Sequence, residues 1–154
     1  MYIDKNLTVA GTLSTSGLAG QTITGSAGSA VSENSINLSS VRDVGAGEPL
    51  NALFTVTTAI TGTSGVEMDV ILASDALLVN DIEVVGSTGA IPVGELTVNK
   101  MFDVTCRPLI GKQGKQYMGT RFTRTGTVST GAVSCTFVET IQDGKKSYAS
   151  GYTV

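Results

Sequence analysis

Two neighbouring segments of this chain alternate apolar and polar residues with a period of two, and no segment sustains a period of 3.6. In residues 50–60 one face carries Leu50, Ala52, Phe54, Val56, Thr58 and Ile60, and the other Asn51, Leu53, Thr55, Thr57 and Ala59. The turn Thr61-Gly62-Thr63-Ser64-Gly65 follows. Val66, Met68, Val70 and Leu72 then alternate with Glu67, Asp69, Ile71 and Ala73. Successive strand side chains point to opposite faces, so both segments read as half-buried strands. The carboxylates of Glu67 and Asp69 are expected on one solvent-facing side.

Other strand signals flank this pair. Ile36 and Leu38 alternate with Asn37, and Ile82 and Val84 start a strand that is expected to end at Gly86-Ser87. Phe102, Val104 and Cys106 alternate with Met101, Asp103 and Thr105, until Pro108 stops the ladder. Residues 116–125 follow a turn at 111–115, and Val133, Cys135, Phe137, Glu139 and Ile141 form the last clear strand. The stretch 87–100 contains Pro92 and Gly94 and reads as a loop, while residues 75–80 read as either irregular chain or a turn of helix. The sum is about eight strands with Gly-rich turns, which favours an all-β sandwich or closed barrel. Charged residues make up only 15% and there are 19 Gly, a balance that suits strands joined by tight turns. A chain of 154 residues suits one domain. The expected division is an extended N-terminal arm over 1–33, rich in Gly, Ser, Thr and Ala, a sandwich body over 34–144, and a polar tail over 145–154.

The residues offer little to run chemistry with. There is no His, which excludes His-dependent acid–base and nucleophilic schemes. Two Cys without His cannot build a usual zinc site. Cys106 and Cys135 sit in apolar strand contexts and are expected as buried thiols. Gly45-Ala46-Gly47 lacks the third glycine of a dinucleotide loop and runs into a strand rather than a helix. Glu67/Asp69 and Asp81/Glu83 are carboxylate pairs at strand spacing, a pattern met far more often on solvated faces than in glycosidases or calcium sites. No catalytic, cofactor or metal residues are expected. The net charge is −3 and the pI about 4.8, which argues against a phosphate-binding surface. No apolar run reaches the ~20 residues of a membrane span. The opening MYIDKNLTVAG lacks the features of a signal peptide, so synthesis and retention in a cytoplasm are expected. Eight acids and no bases lie between residues 43 and 95, and six bases with one acid between 96 and 124. That asymmetry fits either neutralisation across neighbouring strands or complementary surfaces that orient protomers.

The opening MYIDKN, the segment SENSINLSSVRDVGAGEPLNALFTV and the later STGAIPVGEL resemble the jelly-roll cement, or decoration, proteins of tailed-bacteriophage capsids, the kind found in a Bordetella phage. The likeness is best between Asn34 and Val56. It implies a jelly-roll antiparallel β-sandwich of about eight strands, made in the host cytoplasm and placed on the outer capsid surface of the virion. Such a protein would bind the major capsid protein, associate with itself as a homodimer or homotrimer, and clamp neighbouring capsomers without enzymatic activity, nucleic acid or membrane. The candidate contacts are Tyr2 and Ile3 in the arm, Arg42, Asp43 and Glu48 in the turn before Leu50, and Arg121 and Arg124. A receptor- or glycan-binding module of a virion fibre is the alternative. It is disfavoured by the absence of Trp and by only four Tyr, since sugars stack on aromatic rings.

Overall fold

The two alternating segments fold as strands, one of 13 residues and one of 9. The computed structural model describes residues 5–38, 50–106 and 115–138. Its strands are β1 (Thr8–Ala10), β2 (Thr12–Ser14), β3 (Gly17–Ala19), β4 (Gln21–Thr22), β5 (Gly28–Val31), β6 (Ile36–Asn37), β7 (Leu50–Gly62), β8 (Gly65–Ala73), β9 (Glu83–Pro92), β10 (Met101–Cys106), β11 (Tyr117–Arg124) and β12 (Val128–Val138). Among the described residues the only helical pieces are two single 3-10 turns, Lys5–Leu7 and Val93–Glu95.

Eight strands carry the architecture. One sheet runs β1-β12-β7-β10 and the other β5-β11-β8-β9, with β4 adding to β12 and β6 to β11. All pairings are antiparallel. Numbered in chain order, these eight strands give 1-8-3-6 in one sheet and 2-7-4-5 in the other. Every connection among them crosses between sheets except β8–β9. This is the jelly-roll topology, which closes a two-sheet sandwich through Greek-key crossings.

The core lies between the sheets, where the sequence alternation places it. Leu50, Ala52, Phe54, Val56 and Ile60 of β7 are buried, as are Val66, Met68, Val70 and Leu72 of β8. They meet Met118 and Phe122 of β11 and Val133, Cys135 and Phe137 of β12. Phe54 and Phe122 cross the gap edge to face, with centroids 6.2 Å apart at 82°, the arrangement favoured by the ring quadrupoles. Thr58 breaks the pattern and is exposed. The β7–β12 register slips between Ala132 and Val133, so the pleat is interrupted there.

Three expectations are corrected. Residues 1–33 read as an arm apart from the body, yet from Thr8 onward they supply β1 to β5. Val9, Ala10 and Ile23 are buried in the main core. Gln21 ties the segment together, donating from Nε2 to the Val31 carbonyl at 2.7 Å and accepting the Glu33 N–H at 3.0 Å. Single apolar anchors in a Gly/Ser/Thr background give no periodicity to read. Second, the stretch 87–100 is not all loop, because β9 continues to Pro92. It pairs with β8 on one side, and proline is tolerated at the end of such an edge strand. Third, β12 begins at Val128 and passes through Gly131 instead of starting after it. Gly131 has φ +150°, and a Cβ there would come within 2.7 Å of Ile60 Cγ1. The glycine therefore allows a bulged strand to continue where the sequence suggests a turn.

Candidate interaction surfaces

Arg121 and Arg124 leave the sandwich on β11, and both are engaged within the chain. Arg121 stands directly opposite Asp69 in the β11–β8 register. Its Nη2 and Nε donate to Asp69 Oδ2 at 2.7 and 3.1 Å. The Asp69 side chain is 2% exposed and that of Arg121 28%. Asp69 Oδ1 has no hydrogen-bond partner among the described residues. Asp69 is thus not a solvent-facing neighbour of Glu67, as the alternation predicted. Glu67 instead accepts a hydrogen bond from Ser87 Oγ at 2.9 Å. Arg124 donates from Nε to the Ser26 carbonyl at 2.9 Å and from Nη1 to the Ile23 and Thr24 carbonyls at 3.3 Å. It pins the β4–β5 connection. Tyr2, Ile3, Arg42, Asp43 and Glu48 lie outside the described residues.

The other chemical candidates are likewise absorbed by the fold. Lys115 donates to the Asp81 carbonyl and lies 3.7 Å from the Glu83 carboxylate. Among the described residues no three His, Cys, Asp or Glu side chains cluster as a metal site would require. Cys106 and Cys135 are free and buried. Burial pushes the Cys106 thiol up to about 11 and that of Cys135 well above its usual range. Both stay protonated near neutral pH, where a thiolate nucleophile would have to be ionised.

A feature the sequence reading missed occupies the outer face of the second sheet. Such a face is normally polar. Here Ile71 and Ala73 of β8 are buried with Leu78, and Val31 and Tyr117 pack against them. The cover is the 74–81 loop. Leu78 fits over Gly119, where any Cβ would lie 2.3 Å from Leu78 Cδ1. The Asp75 carboxylate organises the loop by accepting the N–H groups of Asn80 (2.7 Å), Leu77 (2.9 Å) and Val79 (3.2 Å). Its pKa is held below the ordinary value, mainly by the Asn80 N–H. Ser74 N donates to the Asn80 carbonyl and Ser35 Oγ to that of Ala76. The available signal was an Asp followed at two, four and five residues by amides it could accept, a pattern of Asx-type turns.

The fold and these surfaces belong to a chain that the Bbp16 family model matches over residues 18–137, from β3 to β12. The chain belongs to the Bbp16 family. It is therefore a phage-related protein, in keeping with a structural component of a virion. No curated protein matches the chain. The matched span of this Bbp16-family member takes in residues 18–33, half of the stretch that composition alone set apart, and Ile23 within it is a core residue.

At the opposite pole from the 74–81 loop lies an open cleft of about 400 Å³, lined by Thr63, Ser64, Gly65, Ile91, Pro92 and Thr125 among others. Its hydroxyls are turned on one another: Ser64 Oγ lies 2.5 Å from Thr125 Oγ1, which also bonds both the N–H and the carbonyl of Gly65. This closes the β7–β8 turn against the end of β11.

Proposed function

We propose that this Bbp16-family jelly roll is a non-enzymatic structural protein of the virion that binds the outside of the major capsid protein shell and cements neighbouring capsomers. The observation that carries the reading is the family match across the whole β3–β12 body. Three features support it. The charged groups best placed for chemistry, Asp69, Arg121 and Arg124, are used to hold strands and loops. The net charge of −3 suits an exterior position better than contact with packaged DNA. The jelly roll is a rigid block, and many copies of a rigid block bridging subunit boundaries gain strength by acting together. Association with itself as a homodimer or homotrimer would multiply those contacts further.

The test compares particles with and without the protein. Particles lacking it are expected to lose their shell at a lower temperature, and adding purified protein back is expected to restore the difference. Equal thermal stability of the two would refute the reading. Imaging of intact particles should place its density outside the shell, and density inside would contradict the proposed location.

A further inference from the structure

The 74–81 loop carries its apolar side chains outward. Leu77 is 77% exposed and Val79 64%. Ile82 and Val84, at 36% and 43%, continue the patch into β9, where Val84 lies beside Ile71 in the β8–β9 register. Leu78 alone turns inward. Large aliphatics scattered singly over a surface need no explanation, but here Leu77 and Val79 share one braced loop, and Ile82 and Val84 follow it directly in the chain. The bracing is unusual. Leu78 and Asp81 take positive φ of 58° and 50°, a region that residues with a Cβ rarely adopt. Strain of this kind persists only where the surroundings over-determine it, and it concentrates at functional sites. Three amides on one carboxylate, the Leu78 plug over Gly119 and the Ser35 bond supply that support. The result is a knob that holds two apolar side chains in water in a fixed geometry, so little ordering remains to be done on binding.

Resting on the cement reading, we infer that this knob is the foot by which the protein docks on the shell, and that it fits an apolar groove with a basic rim on the major capsid protein. Two arguments select that occupant. The first is area. Four aliphatic side chains at these exposures leave on the order of 400 Å² of apolar surface, the size of a functional patch. That is about half of the ~800 Å² that each partner contributes to a stable free-standing interface. A patch this small holds when many copies bind one lattice, and not as the sole contact of an isolated dimer. The second is charge. Among the described residues Asp75, Asp81 and Glu83 border the knob, and Lys115 reaches the Asp81 backbone carbonyl and the Glu83 carboxylate. The described part of the rim thus carries three acids to one base, and a complementary groove is cationic at the edge that meets it.

The experiment uses the full-length chain and shells assembled from the cognate major capsid protein alone. Binding is measured by co-sedimentation over increasing salt for wild type, Leu77→Ser, Val79→Ser and the double variant. Each single change is expected to weaken binding about tenfold and the double about a hundredfold. The thermal unfolding of the free protein should be unchanged, because both side chains lie in water. Wild-type binding should weaken as salt rises. Wild-type binding that the double variant fully retains would overturn the inference and leave the cement reading intact. Absence of wild-type binding would overturn both. Light scattering reports the mass of the free protein. A double variant that loses mass but still binds shells would assign the knob to a second copy of this chain, which also overturns the inference. A cysteine-directed photo-crosslinker on Leu77→Cys provides a readout independent of variant stability, since the native thiols are buried. A crosslink to the shell protein is expected, and one confined to other copies of the chain would refute it.

Discussion

Replacing Arg121 by methionine would leave the Asp69 carboxylate inside the outer layer of the second sheet with no cation. In the native protein Oδ2 receives two N–H groups from Arg121, and Oδ1 receives none from the described residues. After the substitution neither oxygen has a described side-chain partner, and the side chain is only 2% exposed. Breaking a buried pair from one side costs about 3–5 kcal/mol, because the remaining charge stays desolvated. Arg121 itself is 28% exposed, so water reaches part of the site and the lower end, about 3 kcal/mol, is expected. For a chain of this length that corresponds to a fall in Tm of roughly 6–12 °C. The converse variant, Asp69→Asn, leaves a guanidinium that can turn toward solvent and should cost less, about 1–2 kcal/mol. Asp69→Leu combined with Arg121→Met removes both charges and should return to within about 1 kcal/mol of wild type. Urea unfolding with a common m-value measures all three. If Arg121→Met costs under about 1 kcal/mol, the pair behaves as a surface ion pair. If the double variant is as unstable as Arg121→Met, the loss lies in packing and not in an orphaned charge. Either result would refute the reasoning.

Three further outcomes are expected. Because the folded-state pKa of Asp75 is depressed, its contribution to loop order is present above the unfolded value and is lost as pH falls through the folded one. The protection factors of the Leu77, Val79 and Asn80 amides, taken against the intrinsic exchange rate at each pH, should therefore fall on acidification below about pH 4, and in Asp75→Asn at neutral pH; unchanged protection would contradict the capping role. Cys106 and Cys135, both raised by burial, should resist thiol reagents at pH 8 until the chain unfolds, and stability should decline as pH rises above about 9, where only the unfolded thiols ionise; rapid labelling of the native protein would argue against burial. Deleting residues 1–30 removes strands from both sheets together with Val9, Ala10 and Ile23, so the near-ultraviolet circular dichroism of a folded core should vanish; a truncated chain that keeps its native spectrum would restore the idea of a separate arm.

The strands that could be read in the sequence are those with one face in the core and one in water. In β7 five of the six residues named from period two, Leu50, Ala52, Phe54, Val56 and Ile60, are the ones that join the core between the sheets. The turn at 61–65 was equally plain, because glycines flank it and the flanking strands alternate strongly. The short strands were hidden for a physical reason. β1 to β5 are two to four residues long, and a period of two cannot declare itself in three residues. β1 and β4 take their places from β12, more than a hundred residues away, as when Thr8 pairs with Thr136, and β5 takes its place from distant β11, whereas β2 and β3 pair only with each other. The start of β12 is hidden in the sequence because a glycine that permits a bulge looks like one that permits a turn.

The candidate surface was illegible for a related reason. A period of two assigns each residue to a face, but it does not say which outer faces acquire a cover. Glu67, Asp69, Ile71 and Ala73 share a side by alternation, and the two carboxylates suggested that this side is wet. The 74–81 loop folds back over one end of it and buries Ile71 and Ala73, while Asp69 turns inward toward a cation from β11. The same event explains the exposed apolar group. Leu77, Leu78 and Val79 are consecutive, and a loop that sends the middle one down must send its neighbours away from the sheet. Had the loop merely needed to shield Ile71 and Ala73, polar residues at 77 and 79 would have served, since both side chains are mostly exposed. Two aliphatics held outward on a braced, partly strained loop therefore point to a selected contact rather than a by-product of covering the sheet.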